Sequence, residues 1–583
     1  MATNQQPGIH PLLAPKLKYS KQLTSPKAKV YKEMSQALQR GADRIWVFNL
    51  GDIKPMEVPF NFVMDLAWNA NKINYSSIPA WLTAFSAREF GPQHAEEIGD
   101  ILLKHSHLLS MRRYEGVNST TYSVLYYHET ERILAAWKDI YDRVSAISET
   151  LAPEYKSSFF HHVRYPIHSG YLYHSVTLGQ GQNLQHALER RNTANSLAEQ
   201  ILSDFDTDYD LIEEYDTMEN GKWKGILSQA KFDTNINPTW HSPSRDVIQG
   251  LAYVQLRQNM EYNFGNLGIY PEQSTGARQQ GRICSSLHAS APTTGAFAPV
   301  LPMLDVYGPE WRTIEIFHRG DHRVPISWSI TSPAAWLKFE PASGVVSKDT
   351  PTVVVKVSVD WASVAAKYHK TLKARVDFDT LPSWDYVSIE VYKREVPAGF
   401  HGFPETAEYV SIEAPHYQRA SEGNVQFEKI PYLGSRSESG SIGISNYSLA
   451  RESLPATQAA YVEYDFYLFD ASSNISATIY INSGLDTDPE LPMSYSLVVD
   501  STTPKFNRVL ESPAKAGDLP PGWTESVQDN VWTRSLVLGP LAEGKHTVRW
   551  QANSPDVYLE KIVLSRAGAV KPSYLGPPET KLL

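Results

Sequence analysis

The sequence predicts an α+β multidomain protein in which a helical bundle is followed by two antiparallel β-sandwiches, and three observations lead there. At 583 residues the chain is longer than one hydrophobic core usually organises. Apolar residues recur at steps of three and four through its first part. From about Glu310 the apolar period changes to two, with turn residues between the runs.

The elements follow in chain order. Residues from Ser25 to Arg40 read as a helix that stops before Gly41, and Arg44-Ile-Trp-Val-Phe48 is an apolar run of strand length. Asn49-Leu-Gly-Asp-Ile-Lys-Pro55 then combines Gly, Asp and Pro, which makes a loop at the strand's C-terminal end. Residues 59–230 are expected to be helical: Ile133, Trp137, Ile140, Val144 and Ile147 mark one apolar stripe, and Leu184, Leu188, Ala194, Ala198 and Ile201 keep to a similar face. Residues 231–300 lose periodicity and gain Asn, Pro and Ser, the pattern of an irregular connection. Residues 301–398 and 399–583 then supply alternating runs for two sandwiches, among them Ile326-Ser-Trp-Ser-Ile330 and His546-Thr-Val-Arg-Trp550.

Composition excludes several function classes. Sixty-four acidic against 54 basic residues leave a net charge of −10, with no Lys/Arg cluster of the kind phosphate binding needs, so no nucleic acid partner is expected. No apolar run approaches the roughly 18 residues of a membrane span, and none at the N-terminus has the form of a secretion signal. Cys284 is the sole cysteine, so neither an intramolecular disulfide nor a zinc-thiolate site can form, and no cofactor is predicted. Sequons at Asn74, Asn118, Asn446 and Asn474 permit secretion without requiring it.

The stretch Arg44-Ile-Trp-Val-Phe-Asn-Leu-Gly-Asp-Ile-Lys-Pro-Met-Glu57, followed by Phe62-Val-Met-Asp-Leu-Ala-Trp-Asn69, resembles the end of the catalytic barrel in glycoside hydrolase family 115. The likeness continues through Gly221-Lys-Trp223, Ile314-Glu-Ile-Phe-His-Arg-Gly320, Tyr409-Val-Ser-Ile-Glu-Ala-Pro-His-Tyr417 and Leu559-Glu-Lys-Ile-Val563. It implies an extracellular, inverting α-glucuronidase that removes glucuronic acid or its 4-O-methyl ether from the α-1,2 branches of glucuronoxylan. It also implies that residues 1–58 are the remnant of a (β/α)8 barrel, its last helix and strand. Such a barrel takes about 250 residues, whereas about 57 precede the helical region here, so the chain is expected to be inactive alone. The surface left by an absent barrel, lined by Trp46 and Phe48, is expected to favour a homodimer or aggregation. The alternative is a non-catalytic module that binds carbohydrate or docks to a separate barrel.

Asp52 is the candidate catalytic residue, a carboxylate on a tight loop where it can face a substrate, or else cap nearby backbone N–H groups. Asn49 and Lys54 are candidate substrate contacts, for sugar hydroxyls and the uronate carboxylate respectively. Glu57 is either a second carboxylate of the site or a residue favoured by the start of the next helix. Trp240 is either a sugar platform or a loop anchor. Side chains adjacent on a helix diverge by about 100°, so His161 and His162 are read as core or surface residues. Asp204-Phe-Asp-Thr-Asp-Tyr-Asp210 lacks the Gly and Glu of a calcium loop and reads as an exposed acidic helix end. Calcium at Glu413 with Asp556 is disfavoured by Pro415, and no metal site is predicted.

Overall fold

The computed structural model describes residues 27–48, 53–54, 56–112, 116–227, 248, 250–257, 266–274, 278–279, 300–379, 383–421, 425–445, 460–486, 491–500, 502–512 and 518–583. Helices α1 (Lys27–Gln39), α2 (Glu57–Trp68), α3 (Ile78–Phe90), α4 (Ala95–Met111), α5 (Glu129–Thr150), α6 (Pro153–Phe159), α7 (Tyr165–Leu188) and α8 (Thr193–Gly221) surround one large apolar core. In α5 the buried apolar residues are Ile133, Trp137, Ile140, Val144 and Ile147, a single stripe at helical spacing. The second stripe is corrected. The chain turns between α7 and α8 through Arg190, at φ 62°, so Leu184 and Leu188 lie outside at 56% and 71% exposure while Ala194, Ala198 and Ile201 are buried.

Arg44–Phe48 forms no strand. A strand is held by the ladder on either side of it, and among the described residues no strand pairs with this run. Trp46 and Phe48 fold inward against the helical core, so they do not line an open face. Ile45, Val47 and, on α2, Trp68 are exposed instead, at 80%, 72% and 90%.

Ten strands follow: β1 (Leu267–Pro271), β2 (Arg278–Gln279), β3 (Val300–Asp305), β4 (Arg312–His318), β5 (Ile326–Thr331), β6 (Leu337–Glu340), β7 (Ser343–Val346), β8 (Thr352–Val359), β9 (His369–Phe378) and β10 (Ser383–Tyr392). They make two five-stranded sheets, ordered β2-β1-β4-β8-β6 and β3-β10-β9-β5-β7, with one apolar core drawn from both. The stretch 231–300 is therefore not wholly irregular, since β1 pairs antiparallel with β4 from Leu267↔His318 to Pro271↔Ile314. The Leu-Gly-Ile-Tyr-Pro run is too short and uniformly buried to show an alternating pattern.

The C-terminal part holds β11 (Phe403–Pro404), β12 (Tyr409–Glu413), β13 (Arg419–Ala420), β14 (Phe427–Ile430), β15 (Ser441–Ile444), β16 (Tyr461–Leu468), β17 (Ser472–Asn482), β18 (Ser494–Val499), β19 (Lys505–Arg508), β20 (Val531–Leu541), β21 (Gly544–Ala552) and β22 (Leu559–Ser565). One six-stranded sheet runs β11-β16-β21-β18-β19 with β13 beside β16. The other runs β14-β15-β22-β17-β20 with β12 beside β22, and a separate apolar core joins the two.

The helical and C-terminal parts are tied at both ends. From α1, Lys29 donates to Ser483 Oγ (2.8 Å) and Asn530 Oδ1 (3.0 Å), Gln36 to the Tyr558 hydroxyl (2.9 Å), and Arg40 to Asp556 (3.0 Å). In return the chain's last segment lies on the helices, where the buried Glu129 carboxylate accepts from the backbone N–H groups of Ser123 (2.9 Å), Tyr574 (3.0 Å) and Leu575 (2.5 Å). No helix among the described residues is long and apolar enough to cross a membrane.

Candidate functional site

The loop that the sequence singles out reaches α2 through Lys54 and Glu57. Asn49, Asp52 and Trp240 lie outside the described residues. Glu57 occupies the first turn of α2, where the helix dipole favours a negative charge. Lys54 Nζ lies 2.9 Å from Glu57 Oε1 and 5.1 Å from the centre of the Trp223 ring. His162 Nε2 approaches the same Glu57 oxygen at 3.6 Å, too long for a hydrogen bond but close enough for a charge interaction.

A local irregularity brings the histidines in. Between α6 and α7, residues Phe160–Arg164 form one π-helical turn, which widens the helix by one residue, a feature concentrated at functional sites. His162 faces Glu57, while His161 meets Tyr215 of α8 edge-on, with ring centres 4.7 Å apart. Beyond Tyr215, α8 is interrupted at Met218, Glu219 and Asn220, the last two in the left-handed region at φ 51° and 57°. The break turns Glu219 back to accept from the Ser157 hydroxyl and leads into Trp223.

Burial pushes the Glu57 carboxyl up, but His162 and Lys54 outweigh it and hold its pKa at about 2. Burial, with Lys54 and His162 nearby, lowers His161 to about 4, so it is neutral at physiological pH. Burial first, and then the charge of Glu57, raises the Tyr215 hydroxyl. Glu57 Oε2, His161 Nε2, His162 Nε2 and the Tyr215 hydroxyl are all buried without a hydrogen-bond partner among the described residues. The cluster thus offers an ionised carboxylate, a cation and unspent polar edges suited to binding and orienting a polar group. Replacing Lys54 with Met is expected to raise the Glu57 pKa by at least about one unit, since a charge within 4 Å is worth that much. Carboxyl-resolved NMR titration measures it.

Sequence spacing places Lys54 and Glu57 together, whereas the divergence of adjacent side chains on a regular α-helix gives no sign that His162 faces Glu57, a contact made at the π-helical turn. Tyr215 was missed. Gly221-Lys-Trp223, part of the family likeness, was the available signal for this corner of the molecule.

Elsewhere, ligand atoms of Glu413, His416 and Glu579 lie within 4.8 Å of one another. These groups already have partners. Glu413 accepts from the backbone of Glu438 (2.9 Å) and Ser439 (2.7 Å), and Glu579 lies 2.8 Å from His416 Nδ1 while accepting from the Glu413 N–H. Asp556, considered with Glu413 for calcium, is bound to Arg40 instead. The Asp204–Asp210 run lies inside α8 and is not simply exposed, since Asp204 and Asp208 are buried and Ser175 donates to Asp204 at 2.5 Å.

Comparison with known proteins adds an independent line. Residues 402–579 match the family model for the glycosyl hydrolase family 115 C-terminal domain, and residues 14–116 match that for glycosyl hydrolase family 115. No curated protein matches. Among solved structures, BtGH115A, a family GH115 4-O-methyl-α-glucuronidase with specificity for decorated arabinogalactans, is similar over 95% of this chain and 50% of its own, at 15% identity and a TM-score of 0.52. The chain therefore spans half the length of that protein, and the likeness is one of fold. The C-terminal CBM6 of LamC from Zobellia galactanivorans covers 27% of this chain and 99% of its own, at 20% identity and a TM-score of 0.18. The two family matches lie at the two ends of the chain, the first taking in α1 to α4 and the second the C-terminal pair of sheets, and they support assigning the chain to glycoside hydrolase family 115.

Proposed function

We propose that the chain is part of an extracellular, inverting α-glucuronidase that cleaves glucuronic acid or its 4-O-methyl ether from α-1,2 branches of glucuronoxylan. The observation that carries this reading is the Lys54–Glu57–His162 cluster, whose Lys54 and Glu57 follow Asn49 and Asp52 closely in sequence, in a chain that matches this family. In this proposal Lys54 contacts the uronate carboxylate, Asn49 a sugar hydroxyl, and Asp52 takes part in proton transfer. Glu57, ionised throughout the neutral range, orients Lys54 and His162. The specificity of BtGH115A supports decorated arabinogalactans as a second substrate class.

Inversion needs an acid and a base about 6.5–9.5 Å apart, and in barrels these come from different strands. We place the missing partner on barrel segments outside this chain, which would also cover Ile45, Val47 and Trp68. A homodimer formed through the same residues is the competing cover. The decisive experiment measures glucuronic acid release from glucuronoxylan by the purified chain, alone and mixed with the N-terminal half of a family member. Release only from the mixture supports the proposal. Release by the chain alone refutes the dependence on missing segments, and retention on xylan with no release from either sample supports a binding module.

A further inference from the structure

The outward face of the sheet β3-β10-β9-β5-β7 has no assigned role, and its side chains form an ordered array. On β10, Trp384 and Tyr386 stack with centres 5.7 Å apart at 27°. Opposite them on β9, Arg375 lies 5.0 Å from the Trp384 ring centre and Lys373 lies 4.7 Å from that of Tyr386. Thr331 of β5 is directly across from Arg375 and adds an exposed hydroxyl. Aromatic planes, cations and hydroxyls therefore succeed one another across three neighbouring strands.

The charges select the occupant. The whole chain carries −10, which repels a polyanion in general, yet this face does not share that excess. Its carboxylates are already engaged: Asp377 is 2.7 Å from Arg375, and Glu390 is 2.7 Å from His369. Lys373 is exposed and has no carboxylate partner among the described residues. Paired charges beside aromatic rings suit a hydroxyl-rich chain, and one spare ammonium suits an occasional carboxylate along it.

We propose that this face binds a uronate-bearing polysaccharide, with sugar rings against Trp384 and Tyr386 and a uronate carboxylate at Lys373. It is separate from the Lys54–Glu57 cluster and would hold the polymer while side chains are removed elsewhere. The inference rests on the uronate-glycan reading above.

Affinity electrophoresis of the full 583-residue chain tests it, using glucuronoxylan and the same polymer with its carboxyl groups reduced. Retardation by the native polymer is expected, falling about tenfold in the Trp384→Ala/Tyr386→Ala double variant. Lys373→Ala is expected to bind the native and reduced polymers equally. Circular dichroism establishes that each variant is folded, and these solvent-facing substitutions leave the core intact. Unretarded parent protein, unchanged binding by the double variant, or parent binding insensitive to carboxyl reduction would each overturn the proposal. Uronate release by the complemented protein is scored separately on short oligosaccharides, so loss of that activity counts against the proposed hydrolase and leaves this surface untouched.

Discussion

Acidification from pH 7 to pH 5 is expected to destabilise the helical region by at least about 6 kcal/mol, of which three buried histidines contribute about 2 kcal/mol each. His105 and His174 flank Trp137 and are 4% and 3% exposed, and His168 stacks on Tyr141. Burial lowers His105 to about 3, with Lys27 adding to it, and lowers His168 to about 3, with Arg164 adding to it. Burial lowers His174 to about 4 against the opposing Gly170 carbonyl. Because these folded values lie below the ordinary 6.5, the unfolded chain binds more protons, and stability falls as pH drops from 6.5 toward 4. His128, raised by its Glu272 partner, acts in the opposite direction, but it is one half-exposed group, and His161, lowered as described above, and His186, lowered by burial to about 3, add to the loss. A loss of this size compares with the whole stability of a typical domain. Urea midpoints followed by helical circular dichroism at pH 7 and pH 5 measure it, and His174→Phe should remove about 2 kcal/mol of the difference. Equal midpoints at the two pH values would contradict the argument.

The second large effect is expected at Glu129. Its carboxylate is 0% exposed and ends three backbone N–H groups that have no helix or sheet to serve them, two of them in the final segment of the chain. Glu129→Ala leaves those donors unpaired, the Leu575 N–H buried and the other two part-buried, at about 1–3 kcal/mol each, giving a loss of about 3–9 kcal/mol. Glu129→Gln keeps one acceptor oxygen and should fall between. The thermal midpoint reports the total. Limited proteolysis locates it, since cleavage in the segment after Ser565 should appear in Glu129→Ala before any cut in the helices.

These two predictions rest on parts of the molecule with different visibility in the sequence. The α5 stripe around Trp137 was legible because a helix with one wet side must repeat its apolar residues at helical spacing. The stretch Leu184–Ile201 misled because one periodicity continued across a turn that Arg190 makes in the left-handed region, and periodicity does not register such a turn. Arg44–Phe48 has strand composition, but strandedness belongs to a pair, and this run has no partner among the described residues. The site was half legible. Lys54 and Glu57 lie close in sequence and share a motif, whereas His162 reaches Glu57 only through a π-turn and Tyr215 comes from a helix more than a hundred residues away. The grip of Glu129 on Tyr574 and Leu575 joins residues 445 and 446 positions apart, and no local pattern encodes it.

The docking of α1 has a consequence in time. Its Lys29, Lys32 and Gln36 find their partners 450 to 522 residues later in the chain. At a ribosomal pace of about 5–20 residues per second, that separation means a wait of roughly half a minute to a minute and a half. During that interval the apolar side of α1, with Ala28, Val30 and Met34, can join the helical core, but the polar ties of Lys29, Lys32 and Gln36 stay unmade. The polar side of α1 is thus among the last contacts to settle, and nascent chains stalled before β17 should show Lys29, Lys32 and Gln36 without these partners after the bundle around α1 has folded.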